Sequence, residues 1–399
     1  MKRIFAAWDG LACARWLVIA ELVSLFISTS LTSAVEILLF VSVICCWGRL
    51  RGRLSLLLQQ PVVIMFLVFT GVLFLGLFYG PAPLADKLAI LKGWRKLLLL
   101  PMAILLFDDT RWKQRLTWAI ILVATLSMLR SYAGLLGYGS TVVVHNPATQ
   151  GMFFAVAAFA AVVMLFSRHV SLTPAMRWGM GVTIVLLVAD VIFVNSGRSG
   201  YLALLVLAVM AGVGLFRGWL RVGMVVAVPM VLVVLLALSP VATTRMGIAW
   251  HDMHRYEELT RETDMGIRRV MWKNTLQLII ERPFLGYGLG GFKEAYRKHV
   301  EGVEGWKGIA VDDPHNQYLK VAADHGVVGL FVFLGFIGSF FRQKVLSPYR
   351  LLGLGVLLAW CATSLFSGHF GTWGEGRFIM LWAGSQFAIG NFAVGSESG

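Results

Sequence analysis

The chain has 399 residues, of which 58% are hydrophobic and only 14% are charged, and its mean hydropathy is +0.76. Soluble domains carry a charge on about a quarter of their residues, so this composition excludes a soluble globular protein and predicts an all-α polytopic membrane protein. The formal net charge of +14 is typical of proteins that bind nucleic acid or anionic lipid. Because much of that charge lies in short loops between apolar segments, we expect membrane lipids as partners and no nucleic acid.

Apolar stretches long enough to cross a bilayer recur along the chain. About twelve segments fit a window of roughly 17 to 25 residues. Their centres lie near residues 21, 40, 70, 97, 126, 158, 186, 208, 228, 334, 360 and 384. Each is expected to be a helix, because backbone amides in lipid need partners within their own segment. The first follows Met1, Lys2 and Arg3 without a small-residue cleavage site behind it, so we expect a retained helix and not a signal peptide.

The distribution of lysine and arginine predicts the orientation of the chain, because these side chains in short loops resist translocation. With the N-terminus inside, the inside segments hold most of them, including Lys2, Arg3 and Arg168. The short outside loops hold only Lys87, Arg130, Arg198 and Arg377. We therefore expect transmembrane helices 1 to 9 in residues 1–238, one large outside loop at 239–325, and transmembrane helices 10 to 12 in residues 326–399.

The stretch "NSGRSGYLAL", residues 195 to 204, joins two predicted spans at their outer ends. An arginine there runs against the general charge distribution, so Arg198 is a candidate for anion binding. The alternative is an anchor that snorkels to the membrane surface. Gly197 and Gly200 flank this arginine, and we expect them to let a ligand approach the backbone closely.

Residues 239–325 are too long for a simple connector and carry enough aromatic side chains to fold. Apolar periodicity predicts helices near residues 252–262 and 266–281. The loop also has a surplus of arginine and lysine that membrane topology does not require, and an anionic substrate on the outer face would account for it. On the second predicted helix, Arg268 and Arg269 carry guanidinium groups suited to bidentate phosphate binding, with a solvated helix face as the alternative.

A glycine-rich stretch follows that helix. Gly286, Gly288 and Gly291 formally match the dinucleotide-binding pattern G-x-G-x-x-G. That pattern requires a βαβ unit, which the sequence around it does not predict. We expect instead a glycine turn that brings the loop back toward the bilayer.

The stretch "VDDPHNQYLKVAADHG", residues 311 to 326, places a polar cluster directly before an apolar segment. Asp313 is expected to cap a helix in which Pro314 takes the first position, so that His315 lies in the first turn. His315 is a candidate general base, and the alternative is a solvated histidine in a polar cap. A metal site of Asp312, Asp313 and His315 is disfavoured, because three adjacent residues rarely converge on one ion.

These segments resemble the bacterial O-antigen ligases, within the wider O-antigen ligase and polymerase family. The likeness rests on the order and spacing of "SGRSGYL", "RRVMWKNTLQLIIERPFLGYGLGGF" and "PHNQYLKVAADHGVVGLFVFL". It rests also on about twelve spans with one large outside loop between the ninth and the tenth.

The resemblance implies a metal-independent, inverting glycosyltransferase of GT-C-like fold that needs no cofactor. Its family moves a polysaccharide from undecaprenyl diphosphate to the lipid A-core oligosaccharide, on the periplasmic face of the bacterial inner membrane. The family's histidine falls on His315 and its two arginines on Arg198 and Arg268, with Arg269 adjacent to the latter. The residues around the histidine become supporting residues, namely Asp312, Asp313, Asn316 and Tyr318, and whether the two aspartates cap, orient or tune it stays open.

The chain departs from the family pattern at two places. Asp313 stands where histidine often precedes the proline, and Asp324 and His325 stand where a glutamate commonly precedes the glycine. Arg130 and Arg377 could extend a basic groove toward a phosphorylated acceptor, or could snorkel.

Three other functions fit the same features. An O-antigen polymerase and a protein O-oligosaccharyltransferase belong to the same superfamily. A transporter of lipid phosphates would need charged or broken helices at mid-membrane. Charge within the predicted spans is scarce apart from Lys92, Arg95, Lys96 and Asp190.

Overall fold

Helices make up the regular structure of the protein. The computed structural model describes residues 9–167, 170–258 and 261–388, and within these ranges the secondary structure is helical, without a strand. Lys2, Arg3 and Arg168, which contributed to the predicted orientation, lie outside the described residues.

The helices of the first part of the chain follow the predicted apolar segments. They are α1 (Gly10–Ser24), α2 (Thr29–Cys45), α3 (Trp47–Leu50), α4 (Leu54–Leu58), α5 (Pro61–Leu75), α6 (Leu84–Trp94), α7 (Leu99–Leu106), α8 (Thr110–Leu135), α9 (Pro147–Phe166), α10 (Pro174–Ala189), α11 (Arg198–Leu215) and α12 (Gly218–Leu238). Short 3-10 turns join α3 to α4 and α6 to α7, and a π-helical turn, Asp190–Val194, extends α10.

The second part begins with three helices of the predicted outside loop and ends with three more. They are α13 (Pro240–His254), α14 (Asp264–Glu281), α15 (Gly291–His299), α16 (Gln317–Ser339), α17 (Tyr349–Thr363) and α18 (Trp373–Phe387). Short 3-10 turns lie at Gly305–Gly308 and Phe340–Arg342.

The lengths and hydropathies of these helices make the chain a multi-pass membrane protein. Among the described residues, six helices are long and apolar enough to cross a bilayer. They are α8, α9, α10 with its π-helical extension, α11, α12, and α16 with the 3-10 turn behind it. A seventh span is possible if α2 and the helices after it, which meet at 64°, count as one. A helix lies at each predicted centre except that near residue 97, which falls in the 3-10 turn between α6 and α7. The count of twelve spans and the placement of residues 239–325 stay predictions.

The core lies between α9, α11, α17 and α18. Within α9, 83% of the apolar window is buried, whereas the figure for α12 is 6%, so α9 is central and α12 faces outward. Aromatic rings from three helices stack in this core, with Phe378 centred 4.6 Å from Phe153 and 5.3 Å from Trp360. Such offset ring contacts add to the packing of apolar side chains.

The first predicted helix of the outside loop is wrong and the second is confirmed. Instead of residues 252–262, helix α13 starts at Pro240, because the Ser239 hydroxyl caps its first turn, and it ends at His254. Residues 259 and 260 lie outside the described residues. Helix α14 covers the second prediction, and it starts two residues earlier because Thr263 Oγ1 accepts a hydrogen bond from the Gly266 N–H.

The glycine-rich stretch after α14 docks into a kink in α16. Gly326 has φ +66° and interrupts α16, which frees backbone groups for bonds to the docked segment. The Tyr287 and Gly288 N–H groups donate to the carbonyls of Ala323 and Asp324, at 2.9 and 2.8 Å. A Cβ on Gly326 would lie 2.1 Å from the Phe284 carbonyl oxygen, so this contact requires glycine. The turn therefore fixes α14 and α15 relative to α16.

Candidate active site

His315 lies in a turn before α16 and not in the first turn of the helix. Asn316, and not Asp313, is the N-cap: its Oδ1 accepts hydrogen bonds from the Tyr318 and Leu319 N–H groups, at 3.0 and 3.1 Å. The prediction of Asp313 as the cap and Pro314 as the first helical residue is therefore wrong. Both side chains are good helix caps, and the one nearer the apolar segment takes the position.

Asp313 has a different task, which is to hold the backbone of His315. Its Oδ1 accepts a hydrogen bond from the His315 N–H at 2.6 Å, closing a turn of the Asx type. His315 has φ +51°, in the left-handed region that residues other than glycine rarely adopt. Such a conformation costs on the order of 1 kcal/mol or more and persists only where surrounding contacts impose it. The side chain of His315 is exposed.

A cavity of about 320 Å³ opens at His315. It lies between α14, α15 and the segment before α16, and its lining carries both signs of charge. The lining residues are Met271, Lys293, Arg297, Ala310, Val311, Asp312, Asp313 and His315. A volume of roughly 300 Å³ is at the small end of the range for small-molecule sites.

Arg198 and Arg268 form a second charged centre. Arg198 begins α11, and its Nη2 lies 3.7 Å from Oδ2 of Asp264, in the first turn of α14. Burial and then the positive charge of Arg198 lower the pKa of Arg268, while Asp264 acts in the opposite direction. Asp264 therefore pairs with Arg198 and also acts electrostatically on Arg268, and its carboxylate is three-quarters exposed. This arrangement favours an incoming anion.

Arg269 points elsewhere. It is exposed, and its guanidinium carbon lies 4.9 Å above the ring centre of Tyr256. Arg268 and not Arg269 is therefore the residue of α14 that lies beside Arg198.

The glycines beside Arg198 serve helix packing and not the approach of a ligand. A Cβ on Gly200 would lie 2.7 Å from Cα of Gly151 in α9, and one on Gly197 would lie 2.2 Å from the Pro147 carbonyl oxygen. Small residues allow two membrane helices to approach this closely. The earlier expectation for these glycines is wrong, since neighbouring backbone fills the space. Their contact instead fixes Arg198 against the start of α9.

Helix α14 connects the arginine pair with the histidine cavity. Arg198 and Arg268 are not part of the lining that the described residues give this cavity, but Met271 of α14 is. Trp272, one turn after Arg268, donates its indole N–H to the Pro314 carbonyl at 2.9 Å, and its ring packs against Phe366 with centres 5.9 Å apart. The three predicted site residues thus come from segments held together by α14, and the charge of Arg198 acts on Arg268.

The other supporting residues hold the turn in place. Tyr318 donates its hydroxyl to the Cys361 carbonyl at 2.7 Å, which fixes the start of α16 on α17. The Asp312 carbonyl accepts from Lys320 Nζ at 3.1 Å, while the Asp312 side chain lines the cavity. Within the described ranges, no group of three or more His, Cys, Asp or Glu side chains is arranged to hold a metal ion.

The loop between α17 and α18, residues 364–372, also contacts the His315 turn, although it was not among the predicted site segments. The Ser364 carbonyl accepts a hydrogen bond from the Gln317 N–H at 2.9 Å, and Gln317 Oε1 accepts from the Gly371 N–H at 3.0 Å. A Cβ on Gly368 would lie 3.2 Å from Asp313 Oδ2, so the loop passes directly beside the His315 turn. The polar, glycine-rich letters "SGHFGTWGEGR" between two apolar segments were the signal available in the sequence.

Buried charged side chains stabilise this loop. Lys96 donates to the carbonyls of Gly371 and Thr372. Arg377, predicted to line a basic groove or to snorkel, is buried and forms an ion pair with Glu36, which also pairs with Arg95. The prediction for Arg377 is wrong, because a carboxylate from a distant helix neutralises it inside the bundle.

Residues 182–334 match the family model described as O-antigen ligase. The ligase-family segment, as these residues are called below, contains Arg198, Arg268 and His315 and ends before the loop of residues 364–372. The chain is also 27% identical over 168 residues to an uncharacterized protein of Haemophilus influenzae. That match covers 39% of this chain and 41% of the relative, so the chain spans about two fifths of the length of the curated relative it matches.

Proposed function

We propose that the protein is an O-antigen ligase. In this proposal it is a metal-independent, inverting glycosyltransferase that moves O-antigen polysaccharide from undecaprenyl diphosphate to the lipid A-core oligosaccharide. The observation that carries the proposal is that Arg198, Arg268 and His315 all lie in the ligase-family segment, and that α14 links the arginine pair to the histidine turn. The family covers ligases, polymerases and related glycosyltransferases, and implies lipid-linked polysaccharide substrates in general terms.

The proposed reaction is a single displacement. A sugar hydroxyl is a poor nucleophile, so His315 takes its proton as the oxygen attacks the anomeric carbon of the donor. The bond between that carbon and the diphosphate oxygen breaks, and the diphosphate leaves with the electron pair. Attack by one acceptor on the face opposite the leaving group inverts the configuration of the anomeric carbon.

Arg198 and Arg268 hold the diphosphate in this mechanism. Guanidinium forks match phosphate oxygens bidentately, and a fixed pair stabilises the charge that develops on the leaving group without reorganising. The electrostatic interaction between the two guanidiniums and the partial burial of Arg268 support this role. Arg269 has no part in it, because its guanidinium lies over Tyr256.

Three residues around His315 have positioning roles, namely Asp313, Asn316 and Tyr318. Asp313 holds the backbone of His315, Asn316 starts α16, and Tyr318 fixes that helix on α17. Asp312 lines the cavity in which we place the acceptor hydroxyl. Catalysis depends on such preorganisation, because a small displacement of a base lowers the rate strongly.

We place the active site on the periplasmic face of the bacterial inner membrane. The charge distribution supports this orientation, because the short loops on the same side as residues 239–325 carry only Lys87, Arg130, Arg198 and Arg377, whereas the short segments on the other side hold many more lysines and arginines. A periplasmic site would meet both the lipid-linked donor and the lipid A-core acceptor.

The test is the glycolipid content of cells that lack the protein. An O-antigen ligase predicts that lipid A-core carries no O-antigen while long chains accumulate on undecaprenyl diphosphate. Accumulation of single repeat units would indicate a polymerase instead. Unchanged lipid A-core together with loss of sugar from a secreted protein would indicate a protein O-oligosaccharyltransferase.

A further inference from the structure

A second cavity, of about 340 Å³, opens in the loop between α12 and α16. Its walls come from α14, the end of α15, the 3-10 turn Gly305–Gly308 and the segment after α13. A volume of roughly 300 Å³ is at the small end of the range for small-molecule sites. None of the described residues in its lining has a role in the proposed reaction. The polar residues of this Lys273 cavity are Tyr256, Glu257, Lys273, Asn274, His299 and Lys307.

The apolar residues of the Lys273 cavity lie on two helices that are joined to each other. Val270 of α14 and Val300 at the end of α15 are buried. The Val300 N–H donates to the Tyr296 carbonyl at 3.1 Å, and the Asn274 side-chain N–H donates to the Tyr296 hydroxyl at 3.1 Å. Tyr296 thus connects α15 to α14. The cavity is therefore formed before a ligand arrives, as is usual for small-molecule sites.

The 3-10 turn contributes one ammonium group to the cavity. Lys307 Nζ donates to the Glu257 carbonyl at 3.1 Å, which ties the turn to the segment after α13. The same nitrogen lies 5.7 Å from the ring centre of Trp306. Neither contact neutralises its charge. Because an ammonium group has three donors, Lys307 can bind a further acceptor in the cavity.

Lys273 contributes a second ammonium group. Its side chain is exposed and forms no hydrogen bond or ion pair with the described residues. The lining that these residues provide has one carboxylate, that of Glu257, which accepts a hydrogen bond from the Tyr256 hydroxyl at 2.8 Å. Two lysines and one glutamate give the lining a net positive charge, which favours an anionic ligand.

The remaining polar groups suit a sugar. Asn274 has an amide oxygen and Tyr256 has a hydroxyl, and both can accept hydrogen bonds from sugar hydroxyls. His299 is held in place because its Nε2 lies 2.9 Å from Gln277 Oε1. Two ammonium groups match the charge of about −1.5 to −2 that a phosphate monoester carries near neutral pH. The lining therefore fits a phosphorylated sugar better than a neutral one.

The Lys273 cavity and the cavity at His315 lie along the same pair of helices. On α14, Val270 lines the former and the next residue, Met271, lines the latter. On α15, Arg297 lines the cavity at His315, and His299 lines the Lys273 cavity. The two cavities are therefore neighbours, so an oligosaccharide with a hydroxyl at His315 can place another of its sugars in the Lys273 cavity.

We propose that the Lys273 cavity binds a phosphate group on a sugar of the acceptor oligosaccharide, with Lys273 and Lys307 as its ligands. This inference rests on the proposed function, in which the acceptor hydroxyl lies at His315. It makes the two lysines determinants of acceptor specificity, because an acceptor without phosphate leaves both ammonium groups unpaired. The donor's diphosphate stays with Arg198 and Arg268.

The first test is binding of glucose 6-phosphate to the full-length protein in an uncharged detergent, measured by saturation-transfer NMR titration. Lys273→Gln and Lys307→Gln remove a charge but keep a polar side chain. Exposed charge pairs are worth up to about fivefold in affinity, so we expect Kd to rise roughly threefold in each variant and about tenfold in the double variant. An unchanged Kd in the double variant would overturn the inference.

Two further variants show whether the position of the charge matters. Lys298→Gln removes the same charge from α15, but Lys298 is outside the described lining and lies 3.8 Å from a carboxylate oxygen of Glu294. It should bind glucose 6-phosphate like the wild type. Glu257→Gln removes the carboxylate of the lining and should lower Kd. A loss in Lys298→Gln as large as that in Lys273→Gln would show an effect of net charge alone and contradict the site.

The source of the phosphate is tested with the whole substrates in the transfer reaction. The double variant should raise KM for lipid A-core, and it should leave KM unchanged for lipid A-core from which phosphate has been removed. KM for the lipid-linked donor should also stay unchanged. An increase in KM for the donor, without one for the acceptor, would show that the cavity binds the donor's glycan and would overturn the assignment to the acceptor.

Binding of farnesyl diphosphate separates this inference from the proposed function. Arg268→Ala should weaken it, whereas the double lysine variant should bind it with wild-type affinity. If Arg268→Ala binds it as tightly as the wild type while the double variant loses glucose 6-phosphate, the diphosphate donor is wrong and the phosphate site stands. If Arg268→Ala loses affinity while the double variant binds glucose 6-phosphate normally, only the role of the Lys273 cavity is wrong.

Discussion

The indole N–H of Trp272 donates to the carbonyl oxygen of Pro314 at 2.9 Å, which fastens helix α14 to the turn that carries His315. Trp272 also follows Arg268 by one turn of the same helix, so one side chain sets the distance between the arginine pair and the histidine. We therefore expect its hydrogen bond to matter for the transfer rate as well as for stability.

Trp272→Phe should separate these two contributions. The new ring can still pack on Phe366, but the hydrogen bond to Pro314 is lost, which costs about 1 kcal/mol. We expect kcat to fall by about fivefold as the His315 turn loosens, with KM for the donor little changed. Steady-state kinetics with purified protein measure both kcat and KM for the donor. A wild-type kcat would show that the turn is held without Trp272.

Substitutions of Asp313 test whether it holds the backbone or acts through its charge. Asp313→Asn keeps an Oδ1 that accepts from the His315 N–H, and we expect it to retain most of the activity. Asp313→Ala loses the bond that holds His315 at positive φ, and we expect a loss of about 1 kcal/mol in transition-state stabilisation, or roughly fivefold in rate. The initial transfer rates of the two variants distinguish a role in holding the backbone from a role of the charge. An equal loss of transfer rate in both variants would show that the negative charge of Asp313 matters, and not its hydrogen bond.

Arg268 and Arg269 are adjacent, and they provide a matched pair. Removing a preorganised group that stabilises developing charge costs on the order of 10²–10³ in rate, so we expect Arg268→Ala to lose about that much. Arg269→Ala should change the rate by less than about fivefold, because an exposed cation over an aromatic ring contributes about 0.5–1 kcal/mol at most. The reverse order of effects would contradict the assignment of the diphosphate to Arg268.

The contact between Gly200 and Gly151 predicts a structural effect on the arginine site. Gly200→Ala would bring a Cβ to 2.7 Å from the Gly151 Cα, so α9 and α11 must separate, at a cost of roughly 1–3 kcal/mol. Gly179→Ala in α10 is the control, because a Cβ there meets nothing within 4 Å. Thermal melting in detergent should show a lower Tm for Gly200→Ala only. Equal melting temperatures would show that the helices adjust to the added methyl group.

The features that local patterns determine were predictable from the sequence. Apolar periodicity located α14, and the composition identified a membrane protein. At the His315 turn the local signal was ambiguous, since Asp313 and Asn316 can both cap a helix and only the folded chain shows which one does. The glycines around Arg198 were recognised, but their partner Gly151 lies in another helix.

Long-range contacts were beyond the sequence analysis for a physical reason. Arg377 and Glu36 are 341 residues apart, so nothing local indicates that a buried carboxylate neutralises this arginine. Gly371 and Gln317 are similar, because they are 54 residues apart and no motif around either indicates their hydrogen bond. Residues that act through tertiary proximity become visible only once the helices are packed.

The most direct test of the central claim is the initial rate of sugar transfer by purified His315→Ala protein in detergent, with saturating donor and acceptor. The donor is undecaprenyl-diphosphate-linked O-antigen, and the acceptor is lipid A-core. We predict a rate at least about 10²-fold below that of the wild type, as expected for loss of a general base, with an unchanged Tm and unchanged binding of farnesyl diphosphate. A His315→Ala rate within threefold of the wild-type rate would contradict the account.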